Sequence, residues 1–389
     1  MSEEKLKVGI ILYQMLLSGG TERQAIMLAR ELVRRGYAVT LYTFQYNKEK
    51  CYQELLNGMR VVVENDARKL SLCIDRDTDI LNPHEQIPLR VAAYFRRRVK
   101  RIPSVLMIND LYLAQWSLAR ELSPIRFSLL RRCMQWFKDQ YESRRFFAGG
   151  SDEIAVLNNG TRDMLEFYLG RKSTVVRSGL DISRFPFSAR AFPQRRRVRL
   201  LCHALFFRHR RFEDAIRAVA RLVKDGFDVE LAISGSYTHK KDARVYHEEL
   251  KHIAEELGIA ERVSFKGEVR ESELLRLYKE SDIFLFPSHK QTWGLAVFEA
   301  MASGLPVIVS RSAGASEVLT DYQNTLLSNP CSDLSIFVLV KELLQTPELY
   351  ERLSQSGRAF VEKDISWERY TDHILALFQK ASATKESYA

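Results

Sequence analysis

The chain has 389 residues, 46% of them hydrophobic and 28% charged, and a net charge of +10. That length allows two ordinary domains, each with its own core, and the composition excludes a disordered or fibrous protein. No apolar run reaches the roughly 20 residues needed to span a bilayer, and the excess positive charge calls for an anionic partner.

The acidic start, MSEEKLKVGIIL, passes straight into a strand-like run and does not read as a secretory leader. Val8–Leu12 is the first expected strand. Residues 21–35 follow as a helix, with apolar Ala25, Ile26, Leu28, Ala29 and Leu32 on one face; Thr21 and Gln24 suggest a capping box and Gly36 a stop. Strands are expected over 38–43, 60–63 and 80–81, the last running into Asn82-Pro83-His84. Val105–Ile108 ends at Asn109-Asp110, residues 153–157 end at Asn158-Asn159, and 173–176 turn at Ser178-Gly179. The stretch FPFSARAFPQR, 185–195, reads as a linker because it combines two prolines with polar and basic residues. After it the β-then-α pattern restarts, with strands at 198–202, 229–234, 263–265, 283–286 and 307–309 and helices at 213–224, 245–257, 271–280 and 295–302. Repeated βα units point to two parallel-sheet α/β domains, 1–187 and 188–365, whose ligands belong at the carboxyl ends of the strands.

Five cysteines (Cys51, Cys73, Cys133, Cys202 and Cys331) are scattered with no Cys-x-x-Cys pair, which argues against a disulfide framework or a zinc site and fits a reducing cytosol. The basic residues cluster at 95–101 (FRRRVKR), 131–145, 195–199 (RRRVR) and 208–211 (RHRR). The first two clusters are interleaved with Tyr94, Phe95, Trp136, Phe137, Phe146 and Phe147. Such interleaving suits an anionic membrane surface, and equally suits solvated helix faces whose aromatics enter the core; nucleic acid is the less favoured partner. Asp75, Asp77 and Asp79 lack the glycine and glutamate of a calcium loop and read as a solvated turn, so no metal is expected.

Ser18-Gly19-Gly20-Thr21-Glu22-Arg23 joins the first strand to the first helix. Two glycines there suit a phosphate or sugar at a helix N-terminus, although an ordinary tight turn explains them as well. The dinucleotide fingerprint G-x-G-x-x-G is absent. The most informative stretch is 281–319, SDIFLFPSHKQTWGLAVFEAMASGLPVIVSRSAGASEVL: a strand, a loop with Gly294, a helix carrying an interior Glu299, then Gly304-Leu305-Pro306 and another strand.

These motifs resemble those of retaining GT-B glycosyltransferases of family 4, group 1, over nearly the whole chain. The frame E-x-F-G-L-x-x-x-E-A-M-A-x-G-x-P-V-I is matched from Gln291 onward, with Glu299 at the second glutamate and Gln291 replacing the first; Gly-Gly-x-Glu-Arg is that family's usual first loop. The resemblance implies two Rossmann-like domains facing a cleft, with the last helix (366–389) packing back on the first. It also implies a nucleotide-diphosphate sugar as donor and no metal or other cofactor. By the same resemblance Glu299 holds the nucleotide ribose, and Gly294, Leu295 and Ala296 offer backbone amides to the diphosphate. Arg210 stands at the position of a phosphate-neutralising lysine; the family's preceding arginine is Leu205 here, with Arg208 or Arg211 as a substitute. Gly19 and Gly20 lie on the donor or acceptor side, His84 and Gln291 contact the transferred sugar, and Asn109 and Asp110 are sugar or acceptor contacts. A weaker likeness of 42–55 (YTFQYNKEKCYQEL) to mannosyltransferases of lipid-linked glycans favours GDP-mannose slightly over UDP-hexoses.

The expected function is therefore transfer of a hexose from a nucleotide-diphosphate sugar to a glycan or lipid-linked acceptor, in cell-surface polysaccharide, lipopolysaccharide or glycolipid synthesis. The expected location is the cytoplasm, peripheral on the membrane face. A sugar-nucleotide epimerase on the same fold and a non-catalytic basic binding protein are the alternatives.

Overall fold

The computed structural model describes residues 5–16, 20–109, 133, 134, 136, 137, 141, 150–193, 197–238 and 241–386, the last three of these without their side chains. Gly19 and Asp110, two of the expected contacts, lie outside the described residues. The chain forms two compact units, Met1–Gly179 with Trp367–Ala389, and Leu180–Ser366.

In the first unit, strands β1 (Lys7–Met15), β2 (Ala38–Tyr46), β3 (Arg60–Val63) and β4 (Ile80–Pro83) form a parallel sheet in the order β3-β2-β1-β4. Strands β5 (Val105–Ile108), β6 (Glu153–Val156) and β7 (Thr174–Val175) continue it, because Leu81 bridges to Ser104 and His84 to Met107. Helices α1 (Gly20–Arg34), α2 (Ala67–Leu72), α3 (Gln86–Arg98) and α4 (Asn159–Leu169) cover this sheet. Near-continuous apolar runs make the central strands: Ile10, Ile11, Leu81, Val105 and Ile108 are all fully buried, as expected of parallel strands covered on both faces.

In the second unit, β8 (Val198–His203), β9 (Val229–Ser234), β10 (Val263–Gly267), β11 (Ile283–Phe286), β12 (Val307–Ser310) and β13 (Leu326–Ser328) form a parallel sheet in the order β10-β9-β8-β11-β12-β13. The reversal of direction between β8 and β11 is the crevice where doubly wound sheets bind ligands. The connecting helices are α5 (Phe212–Lys224), α6 (Lys241–Glu256), α7 (Glu271–Glu280) and α8 (Leu295–Ala302), followed by α9 (Asp333–Gln345) and α10 (Pro347–Asp364). The last helix, α11 (Trp367–Glu386), belongs to the first unit, where Asp372 pairs with Arg35 and Lys380 lies 2.9 Å from Glu153.

Three expectations change. Helix α1 already includes Gly20, so Thr21 stands inside its first turn and is not the capping residue. The stretch expected to be a linker is packed into the second unit. Phe185 is buried there, and the Arg190 guanidinium donates to the carbonyls of Tyr278, Lys279 and Ser303, capping the C-terminal ends of two helices. The aromatics of the 95–101 cluster divide: Phe95 is fully buried, whereas Tyr94 is half-buried beneath Arg68. The three aspartates of the 75–79 run are each engaged by protein, Asp75 by Tyr42 and Arg60, Asp77 by Lys7, and Asp79 by the Lys7 amide.

Candidate functional site

The second unit gathers its polar groups where β8, β11 and β12 end. Gly294 caps α8 with φ +113°, a conformation that favours glycine, and a Cβ there would sit 2.9 Å from the Phe286 ring. The helix therefore starts hard against the end of β11. No side chain caps it, and its first amides are left to an external acceptor. The loop before it is pinned by backbone bonds from Gly314 to the Gln291 carbonyl (2.7 Å) and from Ala315 to the Trp293 carbonyl (2.9 Å).

Arg210 and Gln291 meet directly: an Nη of Arg210 donates to Oε1 of Gln291. His209 also bonds Gln291, and its imidazole is held down to about 3, first by burial and then by Arg210 and His289. It is a neutral ring at ordinary pH. The His209 carbonyl accepts the His289 amide at 2.7 Å, and His289 Nδ1 lies 3.1 Å from the Ser312 hydroxyl, so the ends of β8, β11 and β12 are tied together.

The flanking arginines point elsewhere. Arg208, expected on the diphosphate, makes a bidentate pair with Glu249 in this structure, at 2.6 Å through each nitrogen. Arg211, at φ +56°, makes a bidentate pair with buried Asp214 at 2.8 and 2.9 Å. Both carboxylates hold the 208–211 turn so that Arg210 alone of the three bonds Gln291.

Glu299 is half-buried one turn into α8 and accepts the Tyr278 hydroxyl at 3.0 Å. Burial pushes its carboxyl above the ordinary value, while Tyr278 and Arg184 offset part of that rise. Tyr278 had no signal in the sequence, because α7 and α8 are brought together only by the crossover between them.

In the first unit, His84 is buried at the end of β4. Its Nε2 lies 3.0 Å from Oδ1 of Asn82, whose amide nitrogen donates to the Val105 carbonyl at 2.7 Å. Nε2 therefore carries the proton, leaving the Nδ1 lone pair as an acceptor, buried and unbonded among the described residues. Desolvation holds this ring down to about 3. Asn82 is legible as a partner in hindsight, since residues two apart on a strand face the same side. Next to them Glu85, at φ +75°, accepts the Asn109 amide at 2.8 Å, and the Asn109 side-chain nitrogen is buried without a bonded partner among the described residues. Gly20 has open space where a side chain would stand.

Two family models match, "Glycosyl transferases group 1" over residues 189–360 and "Glycosyltransferase Family 4" over residues 18–184. The chain belongs to the group 1, family 4 glycosyltransferases. Among its relatives, the glycogen synthase of Mycobacterium tuberculosis is 28% identical over 221 residues, covering 56% of this chain and 51% of the relative. The lipopolysaccharide core biosynthesis glycosyltransferase LpsD of Rhizobium meliloti is 30% identical over 138 residues, covering 36% and 40%. The match spans between about a third and about half of the length of these curated relatives. Among solved structures, sucrose-phosphate synthase from Thermosynechococcus elongatus superposes with a TM-score of 0.76 at 16% identity, covering 98% of this chain and 100% of that one. HepE from Anabaena, solved with UDP and glucose, gives 0.75 at 18% identity, covering 96% and 99%. These likenesses establish the GT-B fold: two parallel-sheet α/β domains.

Proposed function

We propose that this glycosyltransferase is a retaining, metal-independent enzyme that moves a hexose from a nucleotide-diphosphate sugar to a glycan or lipid-linked acceptor of surface-polysaccharide, lipopolysaccharide or glycolipid synthesis. The observation that carries the reading is the uncapped α8 N-terminus at Gly294, with the Arg210–Gln291 pair and Glu299 in the same unit. The amides of Leu295 and Ala296 and the Arg210 guanidinium meet the negative charge that develops on the leaving diphosphate, an electrostatic contribution of roughly 3 kcal/mol per well-placed donor. Glu299 accepts from the ribose hydroxyls. Gln291 and the bare Nδ1 of His84 hold hydroxyls of the transferred sugar, and Asn109 donates to a sugar or acceptor oxygen. Gly20 leaves room for the donor or acceptor side.

In this reading the bond from the anomeric carbon to the β-phosphate oxygen breaks, and the acceptor oxygen bonds that carbon on the same face. The acceptor proton passes to the departing phosphate, so no carboxylate nucleophile is required, unlike the two-carboxylate glycosidases. The UDP of HepE supports a nucleotide donor on this fold, and the 42–55 likeness keeps GDP-mannose beside the UDP-hexoses. Slow donor hydrolysis without acceptor, followed by proton NMR of the first-formed anomer over a panel of GDP- and UDP-sugars, tests the chemistry. Release of the donor's own anomer supports retention. The opposite anomer overturns retention, and an epimerised nucleotide sugar as the sole product makes the protein an epimerase.

A further inference from the structure

Gln291 departs from its family's pattern, and the groups around it fix which way its carboxamide points. Arginine carries only donors, so the atom that meets the Arg210 guanidinium is the amide oxygen, Oε1. His209 bonds the same side chain, and that bond favours a protonated ring. A ring that gives its N–H to an amide oxygen has this effect, whereas a ring that accepts an amide N–H has the opposite one. Two donors therefore converge on Oε1, and both of its lone pairs are taken.

The other end of the carboxamide is open. Gln291 is half-buried, and its Nε2 has no hydrogen-bond partner among the described residues and is not sealed in the core. The seat beneath it is firm. The Gln291 carbonyl accepts the Gly314 amide at 2.7 Å, and the His209 carbonyl accepts the His289 amide at 2.7 Å. The His209 ring stacks on Phe207, with centroids 5.4 Å apart and planes 13° from parallel. Backbone and ring contacts thus hold both partners of the His209–Gln291 bond.

We propose that Gln291 meets the transferred sugar as a hydrogen-bond donor, through Nε2, and that His209 is the positioning residue that keeps it so. This rests on the reading of Gln291 as a sugar contact and sets the polarity of that contact. A carboxylate at this place can only accept, and so selects a sugar hydroxyl for its proton. Gln291, with its oxygen occupied, selects a sugar oxygen for its lone pair, and that hydroxyl gives its own proton elsewhere. The feature recognised at position 291 is thus an acceptor group on the sugar. Deleting that group leaves a protein donor unpaired, which costs more affinity than a replacement that still accepts.

Calorimetry with UDP-glucose and GDP-mannose tests this on the full chain, together with analogues in which each sugar hydroxyl in turn is replaced by hydrogen or by fluorine. Fluorine accepts weakly and cannot donate, so a protein donor tolerates it better than hydrogen and a protein carboxylate repels it. At one hydroxyl of the sugar that binds, the wild type is expected to hold the fluoro analogue about fivefold more tightly than the deoxy analogue. Gln291→Glu loses or reverses that preference, a ratio that a change in diphosphate affinity leaves untouched. His209→Phe keeps a ring against Phe207 but removes the N–H, which opens one lone pair of Oε1, and the preference falls. His209→Gln restores an N–H and recovers it. Circular dichroism melting shows that each variant is folded. Binding of UDP or GDP and its sugar with no such preference at any hydroxyl, or a preference kept in Gln291→Glu, overturns this inference alone. An unchanged ratio in His209→Phe overturns the positioning role. Failure to bind either nucleoside diphosphate or its sugar overturns the nucleotide-site reading and this inference with it.

Discussion

At Gln291 the side chain is neutral where the family's pattern has a carboxylate, and its oxygen accepts from the one arginine of the 208–211 turn not locked by Asp214 or Glu249. A carboxylate at 291 would form a charge-assisted pair with Arg210 and compete with the donor diphosphate for it. Gln291→Glu is therefore expected to weaken nucleoside diphosphate binding about tenfold, read by calorimetry; tighter binding would contradict this account of the turn. Arg210→Ala removes a hydrogen bond to a charged group and is expected to cost about 2 kcal/mol of diphosphate affinity, some thirtyfold. Arg208→Ala, which breaks a half-exposed pair with Glu249 and a contact with the Tyr246 ring, should leave that affinity within about twofold.

Among the elements, α8 is held closely at both ends. Gly294 takes φ +113° against the Phe286 ring, and Gly304 takes φ +87° with its Cβ position 2.4 Å from the Ser188 carbonyl oxygen. Gly294→Ala should destabilise the second unit by about 2 kcal/mol in urea denaturation and shift the helix N-terminus enough to weaken nucleotide binding. Gly304→Ala should cost at least as much stability, because a backbone carbonyl cannot turn aside as a ring can. These two glycines, the strands beside them and the α8 boundaries were legible in the sequence, since apolar runs of four and glycine at the turns are local signals. What the sequence hid is relational. Tyr278 reaches Glu299 from another helix, Glu249 takes Arg208 from across the sheet edge, and the apparent linker at 185–195 is held by Arg190 on helix ends far along the chain. Periodicity reports which face of an element is buried but not which distant element covers it. The basic cluster at 95–101 was visible as charge, and only the α3 register separated Phe95, in the core, from Tyr94, at the surface.

Over the whole molecule, each unit holds a neutral histidine at a strand end: buried His84, held down to about 3 by desolvation, and half-buried His203, held down to about 4 by desolvation first and then by Arg210. Their folded values lie below the ordinary 6.5, so the unfolded chain binds more protons between those limits. Stability conferred by keeping the rings neutral is complete above about pH 6.5 and falls as pH drops toward 4 and 3, by about 1.4 kcal/mol per pH unit for each ring. Urea denaturation as a function of pH should show this loss, and His203→Asn should remove one ring's share of the slope in the second unit.

The central claim is that the second unit is a nucleotide-diphosphate site built on the α8 N-terminus, Arg210 and Glu299. A ligand that binds only the folded protein raises its melting temperature as its concentration exceeds the dissociation constant. Thermal shift of the wild type and of Glu299→Ala against GDP, UDP and ADP tests the claim directly. The account predicts that one diphosphate raises the wild-type melting temperature by a few degrees at about a hundredfold its dissociation constant, and that Glu299→Ala loses that rise. No shift with any of the three, or an undiminished shift in Glu299→Ala, would contradict it.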